Sequence, residues 1–274
     1  MKLCVIGGAG ARSAFLTKSL VKSTRDIRVD HIVLLDNDQQ KLKTYGEISR
    51  ELSRRLDPDL TFEVTSDARA ALTGVDYIIT TIRAGGDAGR LFDEQTCLAH
   101  GVLGQETTGA GGFAMAIRSV PTLVYYCTLA REVANPGHLI FNFTNPSGII
   151  TQALRSKGFD NVYGICDAPS GFIKQLEEIL EIPYGTLDIE CYGLNHLSWF
   201  RNAKVNGRDV QRELLDNPRT YEHSEMRLFT REMARISGDC MLNEYLYFYY
   251  RRVKSLSMIQ KADHPRGEMI YLIN

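Results

Sequence analysis

The sequence predicts an α/β chain, a doubly wound parallel sheet followed by an α+β region, and three observations carry that expectation. Short apolar or β-branched runs recur through the first two-thirds of the chain, at residues 3–6, 31–36, 77–82, 139–144 and 162–166. The segments between them space their apolar residues as helices do. Past about residue 186 the texture changes to longer, more polar strands and then to helix. Strands separated by helices build parallel βαβ units with right-handed crossovers, because only that connection lets the helix pack back on the twisted sheet.

Each element has its own warrant. Residues 3–6 (LCVI) form a short buried strand closed by Gly7 and Gly8, and residues 13–22 have helical spacing. Residues 31–36 (HIVLLD) read as a second buried strand ending on an acid, followed by a charged amphipathic helix over 38–56. Residues 61–65 (TFEVT) alternate as a strand. The runs 77–82 (YIITTI) and 139–144 (LIFNFT) are β-branched strands flanking a helical stretch at 113–134, and 162–166 (VYGIC) is the last run of this type. Residues 187–194 and 198–205 read as longer strands, and from Arg208 on the pattern is helical. The change of texture divides the chain into a first domain at 1–170 and a second region at 171–274.

Composition narrows the function classes. The chain has 274 residues, 44% hydrophobic and 24% charged, which excludes a disordered or low-complexity protein. Lys+Arg 32 against Asp+Glu 33 gives a formal net charge of -1. That balance excludes a dedicated nucleic-acid surface and leaves room for a local pocket that takes one small phosphate. No run approaches the roughly 18–20 unbroken apolar residues of a membrane helix. The apolar start is followed at once by glycines and reads as a strand entering a turn, not as a leader. The cysteines at 4, 97, 127, 166, 191 and 240 are scattered without a CxxC, as in a reduced, cytoplasmic protein.

The first strand runs into Gly7-Gly8-Ala9-Gly10-Ala11-Arg12 and then a helix. Glycines permit a tight turn and a close backbone approach to a pyrophosphate, and the helix N-terminus adds N–H groups and a positive dipole. Asp36 ends the second strand where an acid accepts from the adenine ribose 2′-hydroxyl, which favours NAD over NADP. Gly7, Gly8, Gly10, Ala11, Arg12, Asp36 and Thr81 are the candidate NAD-binding residues. Such a turn is also compatible with a plain strand–helix connection. Its position on the first strand suits a Rossmann-like sheet, and an NAD-dependent dehydrogenase of a small hydroxy acid, of the lactate or malate type, is one reading. The Arg and His–Asp arrangement that such an enzyme uses for hydride transfer is not visible.

Five later motifs fit that reading poorly: Arg83-Ala84-Gly85-Gly86, Gly104-Gln105-Glu106-Thr107-Thr108, Asn142-Phe143-Thr144-Asn145-Pro146, Gly164-Ile165-Cys166-Asp167-Ala168-Pro169 and Gly193-Leu194-Asn195-His196. Together, and in this order along the whole chain, they resemble glycoside hydrolase family 4. These are NAD- and metal-dependent glycosidases that include 6-phospho-α- and 6-phospho-β-glucosidases and stand apart from glycosidases with two catalytic carboxylates.

The resemblance implies specific roles. Cys166 and His196 fall on the family's metal-binding positions, with Mn2+ the common ion; a thiolate and an imidazole suit a divalent transition metal. Without the resemblance, each would read as a packed cysteine and a hydrogen-bonded histidine. The implied chemistry is oxidation at sugar C3 by NAD, removal of the C2 proton, loss of the aglycone from C1, addition of water and return of the hydride. Tyr245, in the tyrosine-rich segment 243–250, matches the base. Asp167 resembles the proton donor to the leaving oxygen and also suits a helix N-cap before Pro169. Arg83 and Arg266 resemble contacts to the sugar phosphate, and Asn145 a contact to sugar hydroxyls. The resemblance further implies a homo-oligomer, a dimer or tetramer. The sequence stops at MIYLIN without a cap, where relatives continue, so the second region is expected to be incomplete. A non-catalytic protein that binds NAD or sugar is the reading from another class.

Overall fold

The structure, a computed structural model, describes residues 1–262 and 266–273; the side chains of Arg25, Arg266 and Ile273 lie outside the described part. The chain forms two units. The first comprises Met1–Gln95, Gln105–Ile165 and Arg266–Asn274, and the second Thr96–Gly104 and Cys166–Pro265.

The strands Lys2–Ile6 and His31–Leu35, buried on both faces, organise the first unit. In order it contains β1 (Lys2–Ile6), α1 (Ser13–Ile27), β2 (His31–Leu35), α2 (Gln39–Lys41), α3 (Glu47–Leu56), β3 (Thr61–Thr65), α4 (Ala68–Leu72) and β4 (Tyr77–Thr80). Then come α5 (Gly86–Ala99), α6 (Gly109–Val133), β5 (Leu139–Asn142), α7 (Ser147–Ser156) and β6 (Val162–Gly164). The six strands form one parallel sheet in the order β3-β2-β1-β4-β5-β6. That order reverses direction between β1 and β4, which makes the sheet doubly wound as expected and sets a crevice at the carboxyl ends of the strands. Side chains alternate between two cores. Cys4, Ile6, Val33, Leu35, Ile78 and Ile140 face one core with Leu123 and Cys127 of α6. Leu3, Val5, Ile32 and Leu34 face the other with Leu20 and Val21 of α1.

Three details differ from the expectation. The helix expected over 38–56 is broken by a π-helical turn at Leu42–Gly46. Gly46 lies so close to β3 that a Cβ there would meet Val64 Cγ1 at 2.5 Å, and the wider turn accompanies that approach. α1 runs on to Ile27 and stops where Arg28 takes a left-handed φ of 54°. α6, although no unbroken apolar run marks it, is long and apolar enough on average to cross a membrane. It is interrupted by Arg118 and Pro121, and Leu123, Cys127 and Ala130 lie in the core.

The second unit contains α8 (Ala168–Leu180), β7 (Leu187–Leu194), β8 (Leu197–Val205), β9 (Arg208–Asp209), α9 (Gln211–Asp216), α10 (Thr220–His223), α11 (Arg231–Ile236), β10 (Met241–Leu242), α12 (Leu246–Tyr250) and α13 (Arg252–Lys261). The remaining helix, α14 (Arg266–Ile273), returns to the first unit. β7 and β8 are an antiparallel hairpin, and β10 pairs with β8 on its far side. Sequence periodicity gave only helix after Arg208; β9 and β10 are two residues each, too short to show a period of two. Phe172 and Leu176 of α8, Phe200 of β8, Leu214 of α9 and Leu246 of α12 form the core of this unit.

Candidate active site

The glycine turn of the first unit is fastened from two sides. Gly7 has φ +85°, and a Cβ there would meet Ile82 N and Thr81 C at 2.9 Å. Thr81 Oγ1 donates to Gly7 O at 2.9 Å, so the ends of β1 and β4 are tied together. Gly8 lies equally tight on Leu34 of β2, its Cβ position 2.9 Å from Leu34 Cβ. A Cβ on Gly10 would meet nothing within 4 Å. Gly10 is therefore where the turn is open, just before α1, while Gly7 and Gly8 are where it packs tightly on β4 and β2. Asp36 closes the turn from β2: one carboxylate oxygen accepts from Ala9 N at 3.1 Å and the other from Asp38 N at 3.1 Å. Ala11 and Arg12 at the helix start are exposed.

Buried polar groups brace the carboxyl ends of β4 and β5. Asn142 accepts from Thr80 Oγ1 at 2.8 Å and donates to Thr151 Oγ1 at 3.2 Å. Thr144 Oγ1 accepts from Ile82 N at 3.1 Å. Asn145 follows, half-buried, before Pro146.

Arg83 belongs to a network of ion pairs within the first unit. Its guanidinium lies 3.1 Å from Asp87 and 3.3 Å from Glu106. Glu106 also holds Arg90 at 2.8 Å, and Arg90 holds Glu94 at 2.8 Å. Arg90 and Glu94 are only 3% and 4% exposed at the side chain, so the pair is buried. Glu94 takes a further bond from Gly267 N at 2.8 Å. Asp93, one position earlier, pairs with Arg118 of α6. Arg90, Glu94 and Asp87 did not stand out in the sequence. The signal was present as Arg83/Asp87 and Arg90/Glu94 at i,i+4, a spacing that reads as ordinary helix-surface pairing. The side chain of Arg266 lies outside the described residues.

The second unit brings Cys166, Asp167, His196 and Tyr245 together. Cys166 precedes α8 and His196 stands in the β7–β8 turn with a left-handed φ of 59°. Histidine adopts that region more readily than most residues. Cys166 Sγ is 3.4 Å from His196 Nε2 and receives Ala168 N at 3.5 Å. The His196 and Tyr245 rings stack with centroids 3.9 Å apart and planes at 1°. Asp167 occupies the N-cap position of α8, but its carboxylate makes no capping bond and is exposed. Its side chain stays available for other chemistry.

The Cys166–His196 separation fits one shared ion, since metal bonds of about 2.3 Å to sulfur and about 2.1 Å to nitrogen span it. Among the described residues no group of three or more His, Cys, Asp or Glu is gathered to hold an ion. A two-donor site leaves coordination positions for substrate oxygens. The other thiols suit packing: burial pushes Cys4 and Cys127 up to about 12. All six cysteines are free thiols.

Glu225 is the site-adjacent residue that sequence reasoning missed. It is 6% exposed, and burial, its largest influence, pushes its carboxyl up to about 7. Its Oε2 accepts from Asn243 Nδ2 at 3.1 Å and from Glu244 N at 2.9 Å, directly before Tyr245.

Known proteins match this architecture throughout. The profile of family 4 glycosyl hydrolases matches residues 2–182, and that of the family's C-terminal domain matches residues 191–273. The 6-phospho-beta-glucosidase BglT of Thermotoga maritima is 35% identical over 219 residues, covering 79% of this chain and 51% of the relative. A solved 6-phospho-beta glucosidase from Thermotoga maritima, with manganese, NAD+ and glucose-6-phosphate, superposes with a TM-score of 0.89 at 30% identity; the match covers 100% of this chain and 64% of that one. A 6-phospho-alpha-glucosidase from gut microorganisms, in complex with NAD and Mn2+, gives 0.88 at 27% identity over 98% of this chain and 66% of that one. The chain thus spans between about half and two-thirds of the length of these relatives. A lactate dehydrogenase from Eimeria maxima shares the fold alone, at 14% identity, 93% coverage of this chain and 74% of that one, with a TM-score of 0.58. With the family profiles matched on either side of residue 190, the chain belongs to glycosyl hydrolase family 4.

Proposed function

We propose that the protein is a glycosidase that hydrolyses 6-phospho-glucosides by NAD-dependent oxidation at C3, C2 deprotonation, elimination and water addition, with a divalent metal such as Mn2+. The observation that carries this reading is the Cys166–His196 donor pair at 3.4 Å with the Tyr245 ring stacked on the imidazole. Relatives solved with NAD, manganese and glucose-6-phosphate support the cofactors and the substrate class.

A bound nicotinamide would supply a hydride acceptor and donor, and a divalent ion, which Cys166 and His196 would hold, would supply Lewis acidity beside the C2 proton. Tyr245 removes the C2 proton; an ordinary phenol near ~10 is almost all protonated at neutral pH, and nearby positive charge favours the phenolate and so raises the share able to accept a proton. Asp167, with a carboxylate unused by the helix cap, hands a proton to the leaving oxygen. Gly7, Gly8, Gly10, Ala11 and Arg12 line the dinucleotide, with Asp36 and Thr81 beside them. Arg83 and Arg266 take the sugar phosphate, and Asn145 takes sugar hydroxyls. Residues 1–170 act as the NAD-binding domain and 171–274 as the substrate- and metal-binding region. A phosphorylated sugar and six free thiols favour a cytoplasmic site of action. A homo-oligomer, dimer or tetramer, completes the reading.

The test uses p-nitrophenyl 6-phospho-α-glucoside, its β anomer and the unphosphorylated sugars, with NAD+, Mn2+ and a thiol reductant in D2O. Nitrophenol release that needs both NAD+ and Mn2+, with deuterium at C2 of the product, is the expected result. Stoichiometric accumulation of NADH, or release indifferent to NAD+, overturns it.

A further inference from the structure

Glu225 stands at the head of a chain of contacts that ends on the candidate metal ligands. It lies in a short 3-10 turn, Glu225–Leu228, and is almost wholly buried. Its backbone N–H donates to Gln175 Oε1 of α8 at 2.9 Å, which anchors the turn to the helix that follows Cys166. A single carboxylate oxygen, Oε2, accepts from both Asn243 Nδ2 and Glu244 N. Asn243, 1% exposed, then accepts from Tyr245 N through Oδ1 at 3.1 Å, and its own N–H donates to Ser198 O at 3.1 Å. The backbone just before Tyr245 is thus held at consecutive positions. Tyr245 in turn lies flat on His196, whose Nε2 faces Cys166 Sγ.

A metal-binding histidine needs its ring plane fixed, and groups beyond the ligands commonly do this. His196 sits in a turn with a left-handed backbone and is 6% exposed, so its ring is closely surrounded. The Tyr245 face supplies a wall for the imidazole, and the position of that wall depends on residues 243–245.

We propose that Glu225 is a positioning residue for the metal site: by gripping Asn243 and Glu244 it sets the Tyr245 ring against His196 and so aims His196 Nε2 at the ion shared with Cys166. The inference rests on the reading of Cys166 and His196 as metal ligands. It is the position of the acceptor oxygen, and not the charge, that matters here. Around Glu225 the charged neighbours are Glu244 and Arg227, of opposite effect, and Glu244 itself lies 3.9 Å from Arg227.

The test is titration of the full chain with cobalt(II) alone, read by the thiolate-to-cobalt absorption band, with the melting temperature of each variant recorded. Wild type shows the band, and Cys166→Ser and His196→Ala lose it. Glu225→Gln keeps an oxygen able to accept both bonds and binds cobalt within threefold of wild type. Glu225→Asp keeps the charge but withdraws the oxygen by one methylene and binds about tenfold or more weakly. Asn243→Asp sets two carboxyls against each other and weakens binding similarly, so one of the two variants suffices if the other does not fold. Wild-type affinity in both Glu225→Asp and Asn243→Asp overturns the inference while leaving the ligand reading intact. Loss in Glu225→Gln equal to that in Glu225→Asp also overturns it, since charge would then decide. Absence of the band in wild type overturns the ligand reading and the inference together.

Discussion

The imidazole of His196 and the phenol ring of Tyr245 lie face to face, with centroids 3.9 Å apart and planes within 1°. One residue is the candidate metal ligand and the other the candidate base, so a single ring serves two purposes. Its face orients the imidazole, and its hydroxyl is the atom that takes a proton. Tyr245→Phe should separate them. Turnover is expected to fall by about 10²–10⁴, the range for loss of a positioned base, while cobalt(II) affinity stays at the wild-type value. Tyr245→Ala should lose turnover and weaken cobalt binding as well. Steady-state kinetics beside a metal titration read both effects.

The glycine turn makes a second contrast. Gly7→Ala forces a left-handed backbone on a residue with a Cβ and drives that Cβ against Thr81 and Ile82. It should destabilise the protein by at least about 1–2 kcal/mol. Gly10→Ala projects into open space and should leave stability within about 0.5 kcal/mol. NAD+ affinity, measured by calorimetry, should nevertheless fall in Gly10→Ala. Unfolding in urea checks the first expectation.

Arg90 is shared between Glu94 and Glu106 and is nearly inaccessible to solvent. Replacing it with leucine leaves Glu94 without its cation in a buried setting, while Glu106 keeps Arg83. The loss expected is about 3–5 kcal/mol, measured by denaturant unfolding, well above that of an exposed helix pair. Arg54→Leu, which breaks an exposed pair with Glu51, is the control and should leave the unfolding midpoint close to that of wild type.

Glu225 predicts a pH dependence with a definite sign. Its folded value, pushed up to about 7, lies above the ordinary carboxylate value of 4.5. Between those values the folded state binds the extra proton, so this group's contribution to stability is full below pH 4.5 and is lost as pH rises through 7. Glu225→Gln removes that loss. At pH 8 the variant should be more stable than wild type by up to about 3 kcal/mol, and at pH 5 the difference should shrink towards zero. Urea unfolding at the two pH values decides it.

The sheet was legible first through β1 and β2, which are buried on both faces and therefore appear as continuous apolar runs. Cys166, His196 and Tyr245 stood out through motif resemblance alone, since one cysteine, one histidine and one tyrosine carry no periodic signal. Glu225 was invisible for a different reason. Its partners Asn243 and Glu244 lie 18 and 19 positions away, and nothing in the local sequence marks the burial that gives the carboxylate its character. The Arg90–Glu94 pair shows the reverse case: the spacing was plain, but periodicity cannot say which face of a charged helix is covered.

The bond from Gly267 N to Glu94 Oε2 joins positions 173 residues apart, and the second unit lies between them in the chain. At about 5–20 residues per second a ribosome makes Glu94 roughly 9–35 s before Gly267 exists. From Gly164 onward the first unit has all six strands of its sheet but still lacks this bond. Residues 166–265, which belong to the second unit, are made in between. A contact inside the earlier-started unit thus waits for a hundred residues of the other unit to pass through the ribosome first.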